Sequence, residues 1–106
     1  MIDSELWKMS AIEIARKVRA KELSANEVTR AVLDRLEHLN PLLHAFCTPT
    51  PELAMDAADA VDARIARGDA VGPLAGVPIG VKDLVLTKGI RTVSGSPAYQ
   101  NFVPDE

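Results

Sequence analysis

The chain contains 106 residues with a mass of 11.4 kDa, 47% of them hydrophobic and 25% charged, which suits one globular unit and excludes a multidomain protein. Its formal charge of −3 lacks the cationic surplus that draws proteins to phosphate backbones, so we expect no direct nucleic-acid partner. One cysteine and two histidines exclude an internal disulfide and a four-ligand structural zinc site, and they favour a reducing, cytoplasmic setting.

The first eight residues carry acidic side chains where a signal peptide needs basic residues followed by an apolar run. No apolar stretch approaches the ~20 residues of a membrane span, so we expect neither export nor a membrane partner. Leu6, Trp7 and Met9 are predicted to pack this N-terminal segment onto the body of the protein, or onto a neighbouring chain if the protein forms an oligomer.

Two helix starts are marked by capping boxes, in which a hydroxyl and a carboxylate three residues apart satisfy free backbone N–H groups. Ser10 with Glu13 predicts the first helix, and Ser24 with Glu27 predicts the second. We expect the Asn-Pro pair at 40 and 41 to end the second helix. This helix carries an apolar stripe at helical spacing: Val28, Ala31, Val32, Leu36 and Leu39.

A third helix is predicted to begin at Thr50 and Pro51, with Thr50 as the N-cap and Glu52 near the positive end of the helix dipole. It should end at Gly68. Its expected buried face consists of small and branched residues: Ala54, Ala57, Ala58, Val61 and Ile65. Alanines allow a neighbouring element to approach closely, so we interpret the three helices as scaffold.

The composition changes near residues 68–73. Residues 1–70 hold 21 of the 27 charged residues, whereas residues 71–106 hold five of the six glycines. We therefore divide the chain into an N-terminal helical segment, 1–70, and a first core strand with its loop, 71–106. Together they form one incomplete domain.

Two segments have the character of β-strands. Residues 44–48 are a short candidate, and residues 74–86 form a nearly continuous apolar run of the kind buried on both faces of a sheet. Since a buried strand needs neighbours on both sides, one convincing strand is too few for a sheet. We expect an α/β fold whose missing strands come from a longer protein or from a homo-oligomer.

Lys82 is the cation that interrupts this apolar run. Side chains alternate along a strand, so Lys82 would share its face with Gly80, which leaves room beside the amine for a reacting group. An apolar setting favours the neutral amine, which is the proton acceptor that a serine nucleophile requires. The alternative is a structural lysine that extends to water or pairs with Asp83.

Other polar residues support weaker hypotheses. The glycines and lysine of residues 76–83 do not have P-loop spacing, and Asp83 would repel phosphate. His44 and Cys47 would face opposite sides of a strand, so we interpret Cys47 as a small core residue. Lys88 and Arg91 are expected to be solvated loop cations. The Ser94-Gly-Ser96 stretch is predicted to be a turn beside the site.

Residues 72–83 (GPLAGVPIGVKD) and 89–96 (GIRTVSGS) resemble the N-terminal part of the amidase signature family. The similarity extends back through the alanine-rich helix and residues 45–48. It implies a mixed sheet surrounded by helices, no cofactor, no metal, and a Ser-cisSer-Lys triad that hydrolyses amides through an acyl-enzyme. Carried over to this sequence, the role of the base falls on Lys82, while the two serines would lie in a Gly/Ser-rich signature that these residues lack.

We therefore expect an N-terminal amidase fragment that is inactive alone, whose full-length form acts on a small-molecule amide. The resemblance includes stand-alone amidases and the A subunit of the aspartyl/glutamyl-tRNA amidotransferase, which would add other amidotransferase subunits as partners. The rival hypothesis is a small non-catalytic helical interaction module that docks or oligomerises through its unpaired strand.

Overall fold

The described residues, 5–106 of a computed structural model, form three α-helices followed by a long irregular segment. The helices are α1 (Ala11–Arg19), α2 (Ala25–Leu43) and α3 (Pro51–Ala66), and single 3-10 turns occur at Leu6–Lys8 and Pro97–Tyr99. Residues 1–4 lie outside the described residues, and they belong to the acidic N-terminal stretch that does not fit a signal peptide. Within residues 5–106, no helix combines the length and the apolar character needed to cross a bilayer.

Both predicted N-cap residues are confirmed, but the reciprocal capping box is complete only at α2, because no bond from the Ser10 N–H to the Glu13 side chain is formed within residues 5–106. The Glu13 backbone N–H donates to Ser10 Oγ at 3.2 Å, and the Glu27 N–H donates to Ser24 Oγ at 2.9 Å. The Ser24 N–H donates in return to Glu27 Oε1 at 3.3 Å, which completes the capping box of α2. A cap of this kind stabilises a helix by about 1 kcal/mol.

Helix α2 continues past Pro41 to Leu43, so its predicted end is wrong. The His44 N–H closes the last turn by donating to the Asn40 carbonyl at 2.7 Å, with His44 in a left-handed conformation at φ 51°. The Asn40 side chain also donates to the Phe46 carbonyl at 3.1 Å and accepts from the Phe46 N–H at 2.9 Å. These bonds offset the hydrogen bond that proline cannot make in a helix.

Helix α3 begins at Pro51 behind Thr50, as predicted, and Gly68 follows its end with φ +80°. Thr50 makes no side-chain cap bond. Of the expected buried face, Ala58 is buried and Ala57 is exposed, while the remaining positions are half-buried: Ala54, Val61 and Ile65. The prediction is therefore correct for the direction of the face and wrong for Ala57.

The core lies where α1, the start of α2 and the middle of α3 meet. Its buried residues are Ile14, Val18, Ala25, Val28 and Ala58. The α2 stripe enters this core only at its beginning, because Val28 and Ala31 are buried whereas Val32, Leu36 and Leu39 are half-buried.

An acidic side chain of α3 caps the N-terminus of α2 from a distance. Asp62 accepts from the backbone N–H groups of Ala25 at 2.7 Å and Asn26 at 3.0 Å. The Asn26 side-chain amide donates to Asp59 Oδ1 at 2.7 Å. Because the first N–H groups of a helix have no partner inside the helix, these carboxylates join α3 to α2 at a favourable end of its dipole.

Neither predicted strand is formed within residues 5–106. Residues 44–48 are an irregular loop, and residues 74–86 alternate between turns and irregular backbone. The described residues hold one isolated antiparallel bridge, between Thr87 and Ile90. A strand is stabilised by hydrogen bonds to neighbouring strands, and no described segment pairs with this one. The α/β prediction is thus supported here only in its helical part.

The N-terminal segment packs as predicted. Leu6 is buried, and Trp7 is half-buried with the Arg35 guanidinium of α2 lying 4.1 Å from the centre of its ring. This contact combines apolar burial with a cation–π interaction and fixes the segment against α2.

Candidate functional site

A groove of about 760 Å³ lies between α2, α3 and the chain from residue 76 to residue 92. Its apolar lining includes Val32 and Leu36 of α2 and Leu53 of α3, and residues 45–50 also contribute. Val32 and Leu36 of the α2 stripe therefore face this groove and not the core, whereas Leu39 does not line it.

Lys82 lines this groove and its side chain is exposed. Within residues 5–106 the Lys82 ammonium makes no hydrogen bond and no ion pair. Pairing with Asp83 does not occur within residues 5–106, and Asp83 Oδ1 instead accepts from the Val93 N–H. The apolar enclosure expected around Lys82 in a strand is not formed by these residues.

Asp83 connects the Lys82 segment to the turn that follows it. The Val93 N–H donates to Asp83 Oδ1 at 2.9 Å, and the Ser94 N–H donates to the Asp83 carbonyl at 3.0 Å. Ser94 and Gly95 have φ values of 53° and 70°, and the Ser96 N–H donates to the Val93 carbonyl at 3.1 Å. Two consecutive left-handed residues closed by this bond fit a type I′ turn, which confirms the turn predicted at Ser94-Gly-Ser96.

Arg91 is a structural clamp and not the solvated loop cation that was predicted. Its Nη2 donates to the Cys47 carbonyl at 3.1 Å, its Nε to Thr48 Oγ1 at 3.3 Å, and its Nη1 to the Gln100 carbonyl at 2.8 Å. One planar guanidinium thus joins the Arg91 segment to residues 47–48 and to Gln100. The prediction for Lys88 is confirmed, since it is exposed.

The remaining candidates are scattered. Cys47 is exposed and lines the groove, so its prediction as a core residue is wrong. His44 is exposed at the end of α2. Ser94 is exposed and Ser96 caps the 3-10 turn at Pro97–Tyr99. Among the described residues, no group of three or more His, Cys, Asp or Glu side chains is arranged to hold a metal ion.

Sequence reasoning missed the functions of Asp83, Arg91 and Asp62. The sequence suggests Asp83 as a partner for Lys82 and as a group that repels phosphate, whereas its carboxylate accepts from a backbone N–H ten residues away. Arg91 reaches 43 residues back to Thr48, and Asp62 reaches 37 residues back to Ala25. No short-range spacing could indicate these partners, because each partner is brought near by the fold alone.

Comparison with known proteins gives matches along most of the chain. Residues 27–106 match the family described as Amidase. The chain is 48% identical over 100 residues to the A subunit of glutamyl-tRNA(Gln) amidotransferase from Carboxydothermus hydrogenoformans, a match that covers 94% of this chain and 21% of that protein. It is 54% identical over 97 residues to the protein of the same name from Alkalilimnicola ehrlichii, which covers 92% of this chain and 20% of that protein. The chain spans about a fifth of the length of these relatives.

Solved structures also share this arrangement. Two chains superpose with a TM-score of 0.85 at 35% sequence identity, covering 91% of this chain and 21% of the solved chain. They come from work on a vestigial protein complex that reveals the evolutionary origins of an s-triazine catabolic enzyme, one of them an inhibitor-bound complex.

Proposed function

Because this chain belongs to the amidase family, we propose that it is the N-terminal part of an enzyme that hydrolyses carbon–nitrogen amide bonds. The observation that carries the proposal is the match of 94% of this chain, at 48% identity, to 21% of the A subunit of an amidotransferase. A segment that corresponds to about a fifth of such an enzyme holds only part of its active site, so the 106 residues are inactive by themselves.

In the proposed chemistry, Lys82 is the base and two serines are supplied by the rest of the enzyme. The nucleophilic serine attacks the amide carbonyl carbon, and its proton passes through a bridging cis-serine to the Lys82 amine. The carbon–nitrogen bond then breaks, the leaving amine takes the proton, and an acyl-serine remains. Water hydrolyses this ester to the carboxylate. Backbone N–H donors would stabilise each oxyanion by roughly 3 kcal/mol apiece.

The position of Lys82 supports this role. Its side chain lines the groove and has no partner within residues 5–106, so its amine is available to groups from outside this segment. Gly80, two residues earlier, presents no side chain of its own to the groove that it also lines.

The proposal includes a mixed β-sheet that forms in the complete enzyme. Residues 74–86 would gain neighbouring strands in the complete enzyme, and residues 1–70 would remain the helical segment beside it. The exposed apolar side chains of this run support the proposal, since they include Ile79, Val81, Leu84, Val85 and Leu86. Burial in a sheet would remove that surface from water and enclose Lys82.

For the substrate, we propose a small carboxamide. The amidotransferase names of the relatives support an A subunit that works with other amidotransferase subunits. A stand-alone amidase is the other form that the resemblance allows. The charge of −3 argues against tRNA contact by this segment. The single cysteine supports a reducing, cytoplasmic location.

The decisive variant is Lys82→Ala in the complete enzyme, assayed by ammonia release from glutamine and a panel of primary carboxamides. We expect kcat to fall by at least roughly 10³-fold, since the base is lost. Lys88→Ala is the matched control, because Lys88 is exposed in the same segment and should leave kcat unchanged. Near-normal turnover by Lys82→Ala would remove Lys82 from this role.

The purified 106-residue chain should release no ammonia from any of these substrates. Turnover by that chain would contradict the fragment proposal.

The rival function, a non-catalytic docking module, is favoured by the same exposed apolar run. It would be supported if the reading frame stopped after Glu106 and the product were a folded monomer.

A further inference from the structure

The backbone that follows Lys82 is hydrogen-bonded, while the Lys82 side chain has no partner within residues 5–106. The Lys82 carbonyl accepts from the Val85 N–H at 3.0 Å, in a turn whose second residue is Asp83. Before Lys82, the Gly80 backbone lies beside the Phe46 ring, which an added Cβ would meet at 3.4 Å. A lysine amine sits at the end of four methylenes, so its placement depends on how firmly its backbone is held.

Asp83 provides the connection between this backbone and the rest of the protein. Its side-chain oxygen accepts from the Val93 N–H at 2.9 Å, and its carbonyl accepts from the Ser94 N–H at 3.0 Å. Both polar ends of the residue are therefore bonded to adjacent amides of one turn. A carboxylate that accepts from a backbone amide makes a stronger bond than a neutral acceptor does.

The turn that receives these bonds is itself firmly held. Thr92, immediately before it, is 2% exposed, and its N–H donates to the Phe102 carbonyl at 3.0 Å. The Gly89 N–H donates in the same way to the carbonyl of the buried Pro104 at 2.9 Å. Asp83 thus ties the Lys82 segment to a part of the chain that is fixed by burial and by cross-chain hydrogen bonds.

We propose that Asp83 is the positioning residue of the proposed base, because its carboxylate locks the Lys82 backbone to the Val93–Ser96 turn. The inference rests on the proposed function and deepens it. Asp83 acts through Lys82 by geometry, and it need not touch the substrate. The alternative is that Asp83 acts on Lys82 by its charge alone.

Two conservative substitutions in the complete enzyme distinguish geometry from charge. Asp83→Asn keeps a side-chain oxygen at the same distance from Val93 and removes the charge. Asp83→Glu keeps the charge and moves the carboxylate by one methylene. If Asp83 positions Lys82, kcat should stay within about fivefold for the Asn variant and fall by about 10–100-fold for the Glu variant, with KM changed by less than about twofold in both.

A control variant and the Lys82→Ala variant distinguish failure of the positioning role from failure of the proposed function. Asp56→Asn, on the exposed part of α3, should leave kcat unchanged. A higher kcat for Glu than for Asn, or equal wild-type kcat in both, would overturn the positioning role. Lys82→Ala is assayed alongside the Asp83 variants. If Lys82→Ala is inactive and both Asp83 variants are fully active, the positioning role is rejected and the proposed function is kept. If Lys82→Ala still turns over substrate, both are rejected. Thermal melting confirms that each variant is folded.

Discussion

At the scale of single residues, Gly76 is the glycine where an added side chain would meet the closest neighbour. This glycine has φ +89°, and a Cβ placed there would lie 2.8 Å from Val18 Cγ1. Val18 is 1% exposed and belongs to the core, so it cannot move aside cheaply. Because glycine has no Cβ, the backbone of the irregular segment after α3 can lie directly against Val18 of α1 at this position.

We predict that Gly76→Ala lowers the free energy of unfolding by about 2–4 kcal/mol, because left-handed strain and overpacking add. Gly89→Ala is the matched control, since Gly89 has φ +78° and nothing within 4 Å of an added Cβ. That variant should cost only the strain, about 1 kcal/mol. Urea denaturation measures both, and equal losses in the two variants would exclude the Val18 contact as the cause.

At the scale of elements, α2 is fixed at both ends by side chains. Its start carries the Ser24–Glu27 capping box together with the Asp62 carboxylate from α3. Its end is held by Asn40, whose amide makes two bonds with the backbone of Phe46. The helix is thereby connected to α3 and to the loop at Phe46 that lines the groove.

We predict that Asp62→Ala lowers the free energy of unfolding by about 1–2 kcal/mol, since two helix N–H groups lose a charged acceptor. Asp56→Ala, on the exposed part of the same helix, should stay within about 0.5 kcal/mol of wild type. The chemical denaturation midpoint reports both. A loss in Asp56→Ala as large as in Asp62→Ala would assign the effect to α3 itself and not to the cap.

At the scale of the whole molecule, the chain exposes more surface than a folded monomer of its size. The accessible surface is 7420 Å², whereas about 5800 Å² is typical for this mass. The radius of gyration is 15.2 Å, against about 13 Å for a compact domain of this length. The exposed apolar residues of 79–86 and of the α2 end account for part of this excess.

We predict that the 106-residue chain self-associates through residues 79–86 when it is expressed alone. Ile79→Lys should shift it toward monomer in sedimentation velocity, because Ile79 is 81% exposed within that run. Ile12→Lys is the control, since Ile12 is 78% exposed on α1, outside the run. The same monomer fraction in both variants would locate the association elsewhere.

In the complete enzyme, we expect Ile79→Lys to destabilise the fold, because the proposed sheet would bury that position. Thermal melting of the full-length variant checks this. An unchanged melting temperature would mean that residue 79 stays exposed there, which would contradict a buried strand over residues 74–86.

The sequence by itself determined the helix starts and the family. Ser10, Ser24 and Thr50 mark three N-termini that the structure confirms, and the resemblance of residues 72–83 to amidases is confirmed by the family match. These signals are local, since a cap joins residues three apart and a motif is contiguous. The end of α2 could not be predicted from such local signals, because the Asn40 side chain holds the helix past Pro41 through its bonds to the Phe46 backbone.

Only the tertiary structure decided the surroundings of the candidate base. Asp83 meets Val93, and Arg91 meets Thr48, at separations that no sequence periodicity encodes. The apolar run of residues 74–86 has the composition of a strand, but strand formation depends on hydrogen-bonded neighbours, and residues 5–106 contain none for it. Local propensity therefore set where helices begin, while long-range pairing set the groove around Lys82.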